Sequence, residues 1–273
     1  MKLLKIGIVG CGAIGSSLAK KISSKYKNKA RVAALYDIDR SKAKILSNSL
    51  SGNKPLVVHK VERLIKESDL VVEAASAGVS FAIAKKSLSS GRDVLIMSVG
   101  GIVGNIGLLS RLAQGRNCRV YVPSGAIAGI DALKASALSG IRKVVLTTYK
   151  NPVSFKGVEY IKSKSIDLGK IKKDTVLFSG SAKEAVKLFP QNINVAAVLS
   201  IAGIGASNTK VKIVASPKIK NNIHRIEIIS GAGKVIAETV NVLHPDNPKT
   251  SYLAVLSAEA VLKQILEPVK IGT

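Results

Sequence analysis

An α/β fold with a doubly wound parallel sheet, followed by a second and smaller α/β (α+β) domain with a mostly antiparallel sheet, is predicted from three features of the sequence. Short apolar runs alternate with longer amphipathic stretches from Leu3 to about Val122. Such alternation implies parallel strands joined by helical crossovers. A glycine-rich turn separates the first apolar run from the first amphipathic stretch. Beyond Val122 the rhythm changes, and three strand-like runs follow in quick succession, as antiparallel strands do.

The strands of the first half are expected at residues 4–9, 31–36, 56–58, 70–73, 93–97 and 119–122. Helices are expected at residues 13–26, 40–49, 61–66, 79–88 and 106–113, where apolar residues recur at three and four spacing. In the second half, Pro123-Ser124-Gly125-Ala126 leads into an alanine-rich helical stretch ending at Leu138, and residues 142–149 alternate as a strand. Residues 156–174 are lysine-rich without clear periodicity and are read as an exposed excursion. Helices at 182–189 and 195–203 precede strands at 210–215, 223–229 and 234–240, and a long amphipathic helix at 251–266 closes the chain. With that helix returning to the first domain, residues 1–122 and 246–273 form a dinucleotide-binding domain and residues 123–245 a substrate and dimerisation domain.

Gly10-Cys11-Gly12-Ala13-Ile14-Gly15 lies directly between the first strand and the first helix, the context that turns a weak glycine motif into a Rossmann fingerprint. Gly10 permits the tight turn, Gly12 lets a pyrophosphate approach the backbone, and Gly15 lets the helix lie close to the strand. Ala13 and Ile14 open the helix whose unpaired N–H groups and dipole face the anion. Twenty-two residues beyond Gly15, Asp37 ends the second strand, where a carboxylate binds the adenine ribose and favours NAD. Arg40, Lys42 and Lys44 leave NADP open, and a turn or helix cap is the structural alternative for Asp37. Ala75 and Ser98, in small-residue loops after the fourth and fifth strands, extend the expected cofactor groove, with plain turns as the alternative.

The 42 Lys and Arg against 17 Asp and Glu leave a net charge of +25. Charge of this size bears on partners rather than fold. Aromatic residues at 4%, the absence of Trp and the scattering of basic residues argue against nucleic acid. Cys11 and Cys118 cannot build a disulfide framework and suit a reducing, cytoplasmic setting. The basic and apolar start resembles a signal peptide, but three glycines within six residues argue against one. No apolar stretch is long enough for a membrane span.

No His, Cys or carboxylate spacing suggests a metal site. In Asn222-Ile223-His224-Arg225-Ile226-Glu227-Ile228, alternation places His224 on one face with Ile226 and Ile228. Position alone allows a core histidine or a catalyst. Ahead of the last helix, Asn247 as cap and Pro248 in the first turn would converge helix N–H groups, Lys249, Thr250 and Ser251 on one anion-binding point. A well-capped helix is the plainer alternative.

Residues 122–129 (Val-Pro-Ser-Gly-Ala-Ile-Ala-Gly), 189–197 (Phe-Pro-Gln-Asn-Ile-Asn-Val-Ala-Ala), Asn222-Ile223-His224 and Asn247-Pro248-Lys249-Thr250-Ser251 together resemble the archaeal and bacterial L-aspartate dehydrogenase family. The likeness covers nearly the whole chain, although the 156–174 excursion is longer than the family needs. It implies that Ala126, or Ala128 in the same run, and Asn194 contact the cofactor, and that His224 is the active-site residue. It further implies a homodimer that uses NAD or NADP to convert L-aspartate to iminoaspartate, which hydrolyses to oxaloacetate and ammonia and can feed NAD synthesis. A neutral histidine could take the substrate's nitrogen proton. Ser124 and Lys249, Thr250 and Ser251 then become the candidates for the substrate carboxylates. The competing readings are another two-domain reductase, acting on a semialdehyde, homoserine or a dihydrodipicolinate-type imine, and a non-catalytic nucleotide- or nucleic-acid-binding protein.

Overall fold

The computed structural model describes residues 3–52, 54–189, 194–245 and 247–272, and of Asn247, Pro248 and Lys249 the backbone alone. The chain divides into two compact units, residues 1–123 with 255–270 and residues 124–254 with 271–273.

The first unit runs β1 (Leu4–Val9), α1 (Ala13–Ser24), β2 (Ala30–Tyr36), α2 (Arg40–Ser49), β3 (Leu56–Val57), α3 (Val61–Lys66), β4 (Leu70–Glu73), α4 (Ala77–Ser89), β5 (Asp93–Ile96), α5 (Ile106–Gly115) and β6 (Val120–Tyr121). Its six strands are all parallel, in the order β3-β2-β1-β4-β5-β6. This is the doubly wound order, and its direction reverses between β1 and β4, where ligands gather beyond the strand ends. β4 is buried on both faces, which explains its continuous apolar run before Glu73. On one side of the sheet, Leu18, Ala19 and Ile22 of α1 join Ile6, Ile8 and Leu35 in the core.

The second unit contains α6 (Ile130–Ala137), β7 (Ile141–Lys150), α7 (Glu159–Ser163), β8 (Thr175–Ser181), α8 (Ala182–Leu188), α9 (Asn194–Ala202), β9 (Lys210–Ala215), β10 (Asn222–Ser230), β11 (Gly233–Asn241), β12 (Leu243–His244) and β13 (Asn247–Ser251). Its five-stranded sheet has the order β11-β10-β7-β9-β8. All pairings are antiparallel except β7 with β9, so the sheet is mixed. The last helix, α10 (Tyr252–Leu266), places Ala258 and Leu262 in the core of the first unit.

Four sequence expectations need correction. Strand β8 was hidden because a register shift between Val176 and Phe178 buries Leu177 and Phe178 side by side, breaking the period of two. The lysine-rich stretch is not a simple excursion. Phe155 and Ile161 are buried in the core, with Val158, Tyr160, Ile166, Leu168 and Ile171 packed against it. Its lysines alternate with these anchors and mask them in a composition reading. The alanine-rich helix begins at Ile130, not near Ala126, because Gly125 and Gly129 adopt φ of +71° and +86°, which a right-handed helix excludes. Finally, Asn247 does not cap the last helix. Leu243 pairs with Ser251 and His244 with Asn247, and the helix starts only at Tyr252, whose N–H donates to the Val242 carbonyl. The return to the first unit accordingly falls at Val255 rather than at residue 246.

Candidate active site

In the first unit, the turn after β1 opens a groove of about 510 Å³ lined by Gly10, Gly12, Asp37, Ile38, Lys42, Ala75 and Lys86, among others. Gly10 has φ of +95°, and a Cβ there would strike the Ala74 backbone; one on Gly15 would strike the Gly10 carbonyl. Gly12 differs, since a Cβ there would meet nothing within 4 Å. Its backbone is therefore bare toward the groove, as close approach of a pyrophosphate requires. Ala13 and Ile14 begin α1, where Ile14 leans on the core.

Asp37 accepts hydrogen bonds from the N–H of Cys11 at 2.7 Å and of Asp39 at 2.9 Å. The carboxylate thus ties the glycine turn to the end of β2 while lining the groove. Asp39, not Asp37, caps α2 through the N–H of Ser41 at 3.1 Å. Burial, reinforced by Asp37, pushes the Cys11 thiol up to about 12, so this cysteine is unreactive at neutral pH. Among the three basic residues noted near Asp37, Lys42 lines the groove, and Lys86 joins it from α4. Ile38, 96% exposed beside Asp37, is an apolar platform that periodicity could not reveal because it belongs to a turn.

Ala75 and Ser98 are held together by a residue that the sequence reading passed over. Glu73, 0% exposed at the end of β4, accepts from the N–H of Ala75 at 2.9 Å and of Ser98 at 3.0 Å. Burial raises the proton affinity of Glu73, and these hydrogen bonds oppose that rise. Ala75 lines the groove, whereas Ser98 is buried behind it. Glu73→Ala should therefore loosen two loops at once, lowering unfolding free energy by about 2–4 kcal/mol through two unsatisfied N–H groups. Urea denaturation checks the stability change, and nucleotide titration the weakened groove.

The second unit carries a different cluster. Along the inward face of its sheet, three neighbouring strands change from apolar to polar at the same end. On β7, Val144 and Leu146 give way to Thr148 and Lys150; on β10, Ile228 and Ile226 give way to His224; on β11, Val235 and Ala237 give way to Thr239 and Asn241. His224 stands opposite both Thr148 and Thr239. The Thr148 hydroxyl lies 3.0 Å from His224 Nδ1, which fixes the ring and leaves Nε2 as the other proton site.

Ala126 belongs to this cluster. Its carbonyl accepts from Thr239 Oγ1 at 2.9 Å and from Asn241 Nδ2 at 3.1 Å. Asn241 is only 2% exposed, yet its Oδ1 has no hydrogen-bond partner among the described residues. A buried acceptor of this kind is suited to a ligand's donor. Burial, aided by the Lys150 charge, pushes His224 down to about 3, and burial lowers Lys150 to about 8. His224 is neutral at physiological pH, while Lys150 remains largely an ammonium at pH 7.

Ser124 is half-buried in the turn before Ala126, Asn194 is exposed at the first residue of α9, and Thr250 and Ser251 are half-buried in β13. The Lys249 side chain and residues 190–193 lie outside the described residues. The helix start expected at Pro248 therefore cannot serve as an anion seat, since the last helix begins at Tyr252. Thr148, Lys150, Thr239 and Asn241 were missed, although each is the inward polar residue that interrupts an apolar alternation.

Residues 131–265 match the family model "Aspartate dehydrogenase, C-terminal", and residues 10–123 match "Homoserine dehydrogenase, NAD binding domain". The chain is 45% identical to an L-aspartate dehydrogenase of Methanosarcina mazei over 273 residues, covering 99% of this chain and 100% of the relative. It is 42% identical to an L-aspartate dehydrogenase of Methanocaldococcus jannaschii over 274 residues, with coverage of 99% and 100%. Among solved structures it resembles an aspartate dehydrogenase from Thermotoga maritima, with a TM-score of 0.71, 26% identity, and coverage of 99% of this chain and 100% of that chain.

Proposed function

The chain belongs to the L-aspartate dehydrogenase family and is a pyridine-nucleotide-dependent oxidoreductase of L-aspartate, and we propose that it works through His224 as proton acceptor, with the Gly12 turn and Asp37 seating the nucleotide. The observation that carries this reading is the neutral, ring-fixed His224 among the inward polar residues at one end of β7, β10 and β11.

When bound, the nucleotide would supply the acceptor for the hydride leaving the substrate's Cα. His224 Nε2 takes a proton from the substrate's amino group, directly or through a water, so that the nitrogen lone pair can form the imine. The product iminoaspartate hydrolyses to oxaloacetate and ammonia, or feeds quinolinate formation and hence NAD synthesis. The residues of the first unit that would hold the cofactor are Gly10, Gly12, Ala13, Asp37 and Ala75. The uncovered backbone at Gly12 fits a pyrophosphate, and the groove beside Asp37 fits a ribose. Homodimeric assembly and a cytoplasmic setting complete the reading; the free thiols Cys11 and Cys118 suit the latter. Light scattering tests the assembly.

A substrate panel followed as nucleotide reduction tests the function. L-Aspartate should be oxidised, and homoserine, L-glutamate and L-malate far more slowly; equal rates with these would defeat the reading. NAD is favoured over NADP because Asp37 would face a 2′-phosphate, with Lys42 as the compensating cation. Asp37→Ser should shift the ratio of the two Kd values toward NADP by about tenfold or more, as calorimetric titration of both nucleotides will read.

A further inference from the structure

The polar end of the sheet contains a cation that neither the glycine motif nor the histidine accounts for. Lys150 is the last residue of β7, two positions past Thr148 on the same face, and its strand partner on β9 is the fully buried Ala215. Tyr149, between them, lines a depression with Arg225 and Glu238 of the outward face, which fixes Lys150 as inward. Its charge reaches His224 and depresses that ring's proton affinity. The cross-strand neighbours Thr148 and Thr239, and Asn241 beyond them, are uncharged, while α6 and α9 contribute Leu133, Val195, Ala196 and Leu199 to the core beneath.

We propose that Lys150 is a substrate-binding residue, whose ammonium receives a carboxylate of the amino-dicarboxylate substrate beside His224. Taking an ammonium into this surrounding is costly, and burial lowers its proton affinity accordingly. An arriving carboxylate reverses both effects by favouring the charged form. It also offsets the field that weakens His224 as a base, so one contact serves binding and proton transfer together. The Oδ1 of Asn241, buried on the inward face of β11 and without a hydrogen-bond partner among the described residues, would offer an acceptor to the substrate's amino group.

This inference rests on the L-aspartate reading above, and the experiment separates the two. In the full-length protein, Lys150→Met should raise the KM for L-aspartate about 100-fold, with kcat falling much less, as expected when a buried charge-assisted contact is lost. Lys150→Arg should recover most of that loss. Nucleotide affinity and the thermal midpoint serve as folding controls, and Lys150→Gln replaces the Met variant if the latter fails to fold. Calorimetric binding of succinate needs no turnover: it should be weakened to the same degree in the Met or Gln variant and restored by Arg. Unchanged KM and succinate affinity would overturn the proposal, as would a collapse of kcat at unchanged KM, which would make Lys150 a proton acceptor instead. Succinate binding that depends on Lys150 in a protein inactive toward L-aspartate would uphold this assignment and defeat only the functional reading.

Discussion

Replacing His224 by alanine is expected to lower kcat for L-aspartate by about 10²-fold or more, the usual contribution of a positioned proton acceptor. The ring is 5% exposed, and its Nδ1 is engaged by Thr148; turnover near that of the parent protein would make it a packing residue. His224→Asn keeps a polar side chain of similar size and should be as inactive, which separates lost proton transfer from a cavity. The same histidine imposes a pH dependence on stability. Its proton affinity is lowered from 6.5 to about 3 in the folded protein. Between those values the unfolded chain binds a proton that the folded chain does not, so stability is fully present above about pH 6.5 and falls as the pH drops toward 3. From about pH 7 to pH 4.5 the loss amounts to about 2–3 kcal/mol. Urea midpoints at those two pH values should show it, and His224→Asn should remove this share of the change.

The glycine motif yields the second large effect, and it divides by position. Gly10→Ala and Gly15→Ala each force a methyl group into backbone, against Ala74 and Gly10 respectively. Each should destabilise the fold by about 2–4 kcal/mol. Gly12→Val faces no protein atom within 4 Å of the new Cβ, so its thermal midpoint should stay within a few degrees of the parent. Its nucleotide affinity should nevertheless fall by about 100-fold, because the side chain fills the space that the pyrophosphate needs. Measuring Tm and Kd on all three variants distinguishes a structural glycine from a ligand-facing one. Equal nucleotide affinity in Gly12→Val would remove the pyrophosphate from this turn.

The first unit was legible because its signals are local. The Gly10 to Gly15 spacing, the position of Asp37 and the apolar runs of β1, β4 and β5 all fall within short windows. Glu73 escaped notice because a carboxylate ending an apolar strand looks like a solvated terminus, and only the fold brings Ala75 and Ser98 to it. In the second unit, alternation placed His224 inward, yet the polar residues that surround it come from strands far apart in sequence. Thr148 lies 76 residues away and Ala126, joined through Thr239 and Asn241, still further. Capping logic failed at Asn247 because hairpin pairing between β12 and β13 takes up the same backbone groups. One local preference, the helix cap, lost there to another, the hairpin.

The alternation of β7, β10 and β11 separates two kinds of freedom in evolution. Arg225, Glu227 and Glu238 alternate with the inward residues and face the outer surface, where ion pairs with Lys143, Lys234 and Arg225 lie. Changes there alter what the sheet meets without moving His224. Exchanges among the inward polar positions, by contrast, can retarget the chemistry while the apolar rows behind them preserve the fold. A scaffold so divided can diversify its surface and its selectivity on independent schedules.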